Sequence, residues 1–493
     1  MSVLLENYTK EQSDFIVKNL SIVPESEVHS RGAHAGLDRG CDPVQFWLPE
    51  IVYGEPGQVL KASVRVPFST GAVLSRGYPN SGLVRPYQPS PIEYNFTGTL
   101  RTEPKEHSQV DIVAEAEGYL SMYNTVLING PPAIGKTTIS YYLGRGGIGC
   151  VLLPFSKTCL IQSWVTTALE RTDGIIWVIG ETITPEQRAT GRFVDWNEGS
   201  LGPNGSEVVP HIIICMIQRV HLIPSDLRDS VTNLYLDEVP LLCVPSAVEG
   251  ILSFRPKRVI CLSGSPERSG DGMHRMMQAL VGKHEVYREP ILPFTYVLCK
   301  TGFKPSGTTN SMGVDWGVLT DEIFTDLERN AKLVELALQT PPGEKVMIYT
   351  TRLDHIELLY QIFTALGETV CKLSGEDKTL TNSRILIINI QSGGVGFDEA
   401  TSIPGFDGIK SKYIIAATTW KKPEVWIQLG GRFRVPGGVL YIFVDDNGTV
   451  KRHYGDAKRT YKNRKGTEAK LELPDGALGR IGALLKARAK VPE

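Results

Sequence analysis

The chain has 493 residues, of which 41% are hydrophobic and 22% are charged, and its formal net charge is −2. A chain of this length exceeds what one hydrophobic core supports, so several domains are expected. The near-neutral charge excludes a globally basic nucleic-acid coat, so any nucleic-acid site must be local. The eight cysteines are scattered without a C-x-x-C pair, which predicts reduced core thiols rather than disulfides or a zinc site.

The amino terminus reads MSVLLENYTKEQSDF, which carries charges early and has no long apolar core. We therefore expect no signal peptide, and the chain contains no apolar run of membrane-spanning length. These features predict an intracellular protein without a membrane partner.

Residues 1–100 are predicted to form a small accessory region that is β-rich or irregular. A helical pattern within 1–30 is followed by a stretch rich in Gly and Pro, with short β-type runs such as 58–66. The aromatic residues of this region could stack on bases, although aromatics of a half-buried sheet more often belong to a core. Its role stays open.

Residues 101–290 alternate apolar strands with segments of helix length, which is typical of a parallel sheet covered on both faces. The predicted strands lie near 125–128, 150–153, 174–179, 211–216, 233–236 and 258–262.

A second alternation occupies residues 291–450, after a proline-bearing connector at about 288–316 and a helical pattern over 322–338. Its predicted strands lie near 345–349, 384–390, 413–416 and 439–444. Residues 451–493 form a basic tail with twelve Lys or Arg and five Asp or Glu. This tail either contacts phosphates or is a solvated surface helix or frayed terminus.

The segment TVLINGPPAIGKTTIS, residues 125–140, fits the phosphate-loop pattern G-x-x-x-x-G-K-[ST]. Its glycines allow successive backbone N–H groups to face a polyphosphate at a helix N-terminus. In this pattern Lys136 reaches the β- and γ-phosphates and Thr137 holds Mg²⁺. The predicted ATP or NTP contacts are Gly130, Pro131, Pro132, Ala133, Ile134, Gly135, Lys136, Thr137 and Thr138.

Two adjacent carboxylates, Asp237 and Glu238, end the predicted strand 233–236. Phosphoryl transfer to water requires charge neutralisation and a positioned nucleophile. We therefore predict that Asp237 holds Mg²⁺ through water and that Glu238 orients or deprotonates the attacking water.

In this order the motifs resemble the superfamily 2 helicases and translocases, over about residues 105–450. The resemblance implies an α/β fold with two tandem RecA-like lobes and ATP hydrolysis, coupled to movement along RNA or DNA or to its unwinding. Leu262-Ser263-Gly264-Ser265-Pro266 is similar to the family's Ser-Ala-Thr motif. The resemblance assigns nucleic-acid contacts to Ser263 and Ser265, to Lys157 after the second strand, and to Thr350 after the strand near 345–349.

In the second lobe, residues 389–398 resemble the family's glycine-rich fifth motif, which implies nucleotide contacts from Gly394 and Asp398. Trp420-Lys421-Lys422-Pro423 and the following Gln428, Arg432 and Arg434 are similar to the sixth motif, closest to that of Swi/Snf-like and related viral translocases. The resemblance implies catalytic roles for these three residues, with an arginine finger that neutralises charge on the γ-phosphate. Only Phe433 separates the arginines, where the family has two residues, so either can be the finger and Arg434 is slightly favoured.

Gln109 lies about twenty residues before the phosphate loop, where the family often has a glutamine that reads adenine. The alternative is an ordinary polar surface residue. Pro240 replaces the His or Asp of the best-known subgroups, so the chain looks like a divergent member. A viral origin would place it in the cytoplasm, a virion or a viral factory, together with replication or transcription proteins.

Two other functions stay open from the sequence. One is a nucleic-acid packaging motor or single-lobe P-loop ATPase whose second half does other chemistry, which would need clustered carboxylates there. The candidates are Asp354, Asp398 and the pair Asp445-Asp446, which is predicted to lie in a tight hairpin turn. The other is a non-catalytic nucleotide-binding scaffold, against which Lys136 and the Asp237-Glu238 pair argue.

Overall fold

The computed structural model divides the chain into two compact units, Met1–Arg288 and Glu289–Glu493. It describes residues 3–6, 10–22, 44–45, 47–53, 59–70, 83–84, 92–132, 134–155, 159–194, 208–264, 273–290, 292–306, 309–310, 313–374, 380–390, 397, 399–433 and 435–488. Each unit is built around its own seven-stranded sheet.

The central sheet of the first unit is parallel throughout. Its strands, in spatial order, are Glu285–Tyr287, Thr125–Asn129, Arg258–Ser263, Asn233–Leu236, Gly149–Leu153, Ile212–Met216 and Ile176–Ile179. Alternate residues of a strand face opposite sides of a sheet. Accordingly Ile212 and Ile214 belong to one buried cluster, whereas Ile213 and Cys215 belong to another. Both faces are therefore covered, which explains the nearly continuous apolar strands of the sequence.

The helices described in the first unit connect these strands or precede them. They are Lys10–Leu20, Gln109–Tyr123, Lys136–Leu143, Cys159–Arg171, Pro185–Ala189, Ser225–Ser230, Val239–Leu242, Val248–Leu252 and His274–Val281.

The described part of residues 1–100 includes a four-stranded antiparallel sheet. Its strands, in spatial order, are Leu48–Tyr53, Val59–Val66, Val3–Glu6 and Leu83–Val84. A short pair, Ser21–Ile22 and Val44–Gln45, lies outside it. Ile16, Leu20, Val66 and Phe68 are buried in the same cluster as residues of the central sheet, so this part shares the core of the first unit.

The second unit has a parallel sheet of its own. Its strands, in spatial order, are Val370–Leu373, Ile385–Asn389, Val346–Thr350, Tyr413–Ala416, Gly438–Val444, Phe294–Lys300 and Gly466–Glu472. A small ribbon pairs Thr309–Asn310 with Gly313–Val314. The described helices are Trp316–Thr325, Leu327–Leu338, Leu353–Ala365, Glu399–Ser402, Pro423–Gly430, Gly448–Lys462 and Ala477–Arg488. The predicted fold class, two tandem α/β lobes with parallel sheets, is confirmed.

Two predictions between the lobes were wrong. The connector predicted at 288–316 contains the strand Phe294–Lys300, which pairs with neighbours on both sides. The single helical pattern over 322–338 is divided between two helices. The division falls at Asp326, whose carboxylate accepts the N–H of Arg329 and thereby caps the second helix.

The turn predicted at Asp445-Asp446-Asn447-Gly448 was also wrong, because Asn447 is the N-cap of the helix Gly448–Lys462. Its side-chain oxygen accepts the backbone N–H groups of Thr449 and Val450. The residues predicted as a basic tail continue through a strand at the sheet edge and the helix Ala477–Arg488. Since Ile481 of that helix lies in the core, residues 451–488 are not a frayed terminus.

Six cysteines are free and buried: Cys150, Cys215, Cys243, Cys261, Cys299 and Cys371. Cys41 and the side chain of Cys159 lie outside the described part. Within the residues that the structure describes, no helix is long and apolar enough to cross a membrane.

Candidate functional site

The predicted phosphate loop joins the buried strand Thr125–Asn129 to the helix Lys136–Leu143. Gly135 has φ of 88°, in the left-handed region, and a Cβ there would lie 2.1 Å from Gln109 Nε2. Only glycine meets both demands at this position. Lys136 Nζ donates to the carbonyl oxygen of Gly130 over 2.9 Å, so its ammonium group lies within the curve of the loop.

Gln109 is hydrogen-bonded to the backbone of the phosphate loop. Its side chain is 3% exposed, and Nε2 donates to the carbonyl oxygen of Ile134 over 3.0 Å. Its Oε1 accepts the backbone N–H of Arg101, whose guanidinium also donates to the Ile134 carbonyl. The interpretation of Gln109 as a polar surface residue was therefore wrong.

Asp237 lies directly after the strand Asn233–Leu236, and each of its carboxylate oxygens accepts one N–H group. Trp164 Nε1 donates to Oδ2 over 2.7 Å, and the backbone N–H of Glu238 donates to Oδ1 over 2.9 Å. Burial raises the pKa of the Asp237 carboxyl, whereas the Trp164 hydrogen bond, the positive charge of Lys136 and the Glu238 N–H lower it. Lys136 and Asp237 therefore influence each other electrostatically.

Glu238 has φ of 46° and ψ of 53°, and it is the N-cap residue of the short helix Val239–Leu242. Residues with side chains seldom adopt this left-handed conformation, which costs on the order of 1 kcal/mol and recurs at functional sites. The chain therefore turns sharply directly after the strand that carries Asp237.

Buried aromatic residues lie beside Asp237. The ring of Trp164 is 5.2 Å from that of Tyr141, in the phosphate-loop helix, and 5.7 Å from that of Tyr235. Tyr141 Oη donates to the Trp164 carbonyl, and Tyr94 Oη donates to the Tyr141 carbonyl. The sequence analysis missed this cluster, for which the only sequence signal is the presence of aromatic residues in apolar segments.

These groups lie at the carboxyl-terminal ends of three neighbouring strands. The strand Arg258–Ser263 lies between the strands that precede the phosphate loop and Asp237, and the Ser263 carbonyl accepts the Gly130 N–H over 3.1 Å. A Cβ on Gly264 would lie 3.5 Å from the Gly130 oxygen and 3.8 Å from Lys136 Nζ. A side chain at position 264 would therefore contact both the loop and the Lys136 ammonium group.

The residues present fit a nucleotide with Mg²⁺. Thr137 and Thr138 lie half-buried in the first turn of the helix that starts at Lys136. Mg²⁺ is usually held by one or two protein oxygens together with phosphates and water rather than by an all-protein cage. The described residues contain no group of three or more His, Cys, Asp or Glu side chains that could hold a metal ion.

Ser263 and Thr350, two of the predicted nucleic-acid contacts, are fully buried, so neither side chain is exposed for such a contact in this structure. The Ser263 carbonyl binds the phosphate loop, and Thr350 Oγ1 is hydrogen-bonded to His355 Nδ1 over 2.8 Å. Both residues end strands that are buried at every position except Arg258. The other two predicted contacts, Lys157 and Ser265, lie outside the described residues.

In the second unit, Arg432 is only 9% exposed and donates to the Phe397 carbonyl. Gln428 is half-buried in the helix Pro423–Gly430, just before it in the chain. Three further predicted residues of this unit, Gly394, Asp398 and Arg434, lie outside the described part of the chain. Ala133 of the phosphate loop, in the first unit, also lies outside it. The structure therefore shows a buried setting for Arg432 and leaves Arg434 as a prediction.

The described carboxylates that the sequence offered for other chemistry lie in different settings. Asp445 is fully buried and paired with Arg329 over 2.7 Å. Asp354 is exposed, and Asp398 is outside the described residues.

No family model matches the chain. It is 25% identical over 411 residues to the protein named "Putative helicase 161L" of Invertebrate iridescent virus 6, covering 76% of this chain and 83% of that protein. It is 22% identical over 360 residues to "Putative helicase 055L" of Frog virus 3 (isolate Goorha), covering 72% and 76%. Both relatives carry the name putative helicase, in agreement with the predicted resemblance to helicases.

Two solved structures are similar to this chain, each at 13% identity. T4 UvsW matches with a TM-score of 0.34, covering 96% of this chain and 98% of that chain. S. cerevisiae Dbp5 bound to RNA and ADP BeF3 matches with a TM-score of 0.49, covering 77% and 93%.

Proposed function

We propose that the protein is a helicase-type NTPase that hydrolyses ATP, or another NTP, in a reaction stimulated by RNA or DNA, and uses it to move along or unwind the strand. The observation that carries this proposal is that the phosphate loop, Lys136 and Asp237 lie together at the carboxyl-terminal ends of the strands of the first sheet. The two viral relatives, each named as a putative helicase, support it.

Each of the residues at these strand ends has a proposed role. The backbone N–H groups of the loop and Lys136 bind the polyphosphate, since both present positive charge to it. Thr137 and Asp237 hold Mg²⁺, which supplies charge neutralisation on the phosphates when bound. Glu238 orients or deprotonates the attacking water.

The second unit is proposed to complete catalysis. Arg434 or Arg432 neutralises charge that develops on the γ-phosphate, and Gln428 assists it. Gly394 and Asp398 contact the nucleotide. Lys157 and Ser265 of the first unit contact the nucleic-acid backbone. These assignments rest on the motif resemblance.

Substitution Glu238→Gln tests the enzymatic part of the proposal. A general base contributes about 10²- to 10⁴-fold to a rate, so we expect ATP turnover to fall by about that factor while nucleotide still binds. Glu249→Gln is a matched control, because Glu249 is exposed in the helix Val248–Leu252. Equal turnover of Glu238→Gln and the wild type would refute the proposed hydrolysis at this site.

A further inference from the structure

Trp164 is fully buried in the helix Cys159–Arg171, and its indole nitrogen donates to the carboxylate of Asp237. The bond of 2.7 Å joins residues 73 positions apart in the chain. A buried indole N–H normally has a hydrogen-bond partner, and any backbone carbonyl could serve. Here the acceptor is the carboxylate that the proposed function assigns to Mg²⁺.

We propose that Trp164 is a positioning residue that orients the Asp237 carboxylate for Mg²⁺ in the nucleotide complex. The inference rests on the proposed function. One carboxylate oxygen is fixed by the indole and the other by the Glu238 N–H, so rotation of the carboxylate plane would break both bonds. Each oxygen keeps a lone pair that can accept from Mg²⁺-bound water.

The indole itself is held in place from two sides. The Tyr141 ring meets it edge-on, with an interplanar angle of 78°, and Tyr141 Oη donates to the Trp164 carbonyl over 3.0 Å. The Tyr235 ring packs against it at 43°, two residues before Asp237 in the chain. Tyr141 belongs to the helix that starts at Lys136, so one buried ring connects the phosphate-loop helix, the Asp237 strand and the helix Cys159–Arg171.

A hydrogen bond of this kind is separable from core packing. Substitution Trp164→Phe removes the donor and keeps an aromatic ring. Substitution Tyr235→Phe is the matched control, since it removes a buried hydroxyl that contacts Tyr94 Oη at 3.3 Å and leaves the Asp237 bonds intact. A role in packing alone predicts that Trp164→Phe lowers the free energy of unfolding but leaves the Mg²⁺ dependence of nucleotide binding unchanged.

The test measures binding of a fluorescent ATP analogue to the full chain, with Mg²⁺ and with EDTA, for the wild type, Trp164→Phe and Tyr235→Phe. Loss of a group that orients a metal ligand typically costs about 10- to 100-fold in metal affinity. With EDTA, we expect Trp164→Phe to bind the nucleotide with the affinity of the wild type. The Mg²⁺ concentration at which Mg²⁺ raises that affinity should be about tenfold higher in Trp164→Phe than in the wild type. Tyr235→Phe should behave like the wild type.

Unchanged Mg²⁺ dependence in Trp164→Phe, or an equal loss in Tyr235→Phe, would overturn the inference. Because the readout is binding, it is independent of turnover: a wild type that binds nucleotide with Mg²⁺ but never hydrolyses it refutes the proposed function alone. Should Trp164→Phe fail to fold, Trp164→His retains a ring N–H donor in a smaller ring. Mg²⁺ dependence lying closer to wild type than that of Asp237→Ala would then support the inference, and dependence equal to that of Asp237→Ala would overturn it.

Discussion

Gln109 and Ile134 are joined by a hydrogen bond of 3.0 Å, from the side-chain amide to a carbonyl oxygen inside the phosphate loop. The same amide group accepts the Arg101 N–H through its oxygen. The bond connects the helix Gln109–Tyr123 to the loop, and its effect on nucleotide binding can be tested.

Substitution Gln109→Ala should weaken binding of both ATP and GTP about fivefold, because one buried hydrogen bond contributes about 1 kcal/mol to holding the loop. Gln109→Glu should weaken binding more, since it replaces the donor with an oxygen facing the Ile134 carbonyl. Competition binding with the two nucleotides measures this. A loss confined to ATP would contradict loop support and favour adenine recognition.

Much of the site could be predicted because its signals are local. The phosphate loop, the strand before it and the Asp237-Glu238 pair are contiguous patterns that depend on backbone and charge requirements. The strand Gly466–Glu472 was missed because its exposed edge position leaves it polar. The bond between Trp164 and Asp237, and the burial of Ser263 and Thr350, depend on which strands become neighbours, which residue spacing does not specify.

The buried ion pair between Arg329 and Asp445 predicts a stability effect in the second unit. Both side chains are 0% exposed, and Asp445 also accepts from Thr301 Oγ1. Removing one partner leaves a buried charge uncompensated, so Asp445→Ala should lower the free energy of unfolding by about 3 to 5 kcal/mol. Urea denaturation measures it. The neighbouring Asp446→Ala is the control, because the exposed Asp446–Lys451 pair should contribute less than about 1 kcal/mol.

His355 predicts a pH dependence of stability. Burial lowers its pKa to about 3, and Nε2 donates to Asn330 Oδ1 while Nδ1 accepts from Thr350. The unfolded chain binds this proton near pH 6.5, so the unfolded state holds more protons and stability falls as the pH drops. Between pH 7 and pH 5 this loss should be about 2 kcal/mol.

Substitution His355→Gln should remove that part of the pH dependence in urea unfolding curves of the second unit. His221→Gln, which removes an exposed imidazole of the first unit, should leave it in place. If the free energy of unfolding changed with pH equally in the wild type and in His355→Gln, the buried neutral imidazole would be contradicted.

The two arginines of the sixth motif should separate in their effects. Arg432 is buried and donates to the Phe397 carbonyl, so Arg432→Ala should destabilise the second unit by about 1 to 3 kcal/mol. Arg434→Ala should lower ATP turnover by about 10³-fold or more with nucleotide affinity retained, as expected for an arginine finger. Turnover and urea unfolding of both variants measure this. Wild-type turnover by Arg434→Ala would contradict a finger role for Arg434. Either Arg432 would then be the finger, or neither arginine would be.

The measurement that most directly tests the account is ATP turnover by the full chain, alone and with single-stranded RNA or DNA, for the wild type and Lys136→Ala. We predict that at least one strand type stimulates wild-type turnover severalfold. Lys136→Ala should lose about 10²-fold or more in both conditions, because its ammonium group binds the polyphosphate where charge develops. Turnover that neither nucleic acid changes, or that survives in Lys136→Ala, would contradict a nucleic-acid-stimulated NTPase centred on this loop.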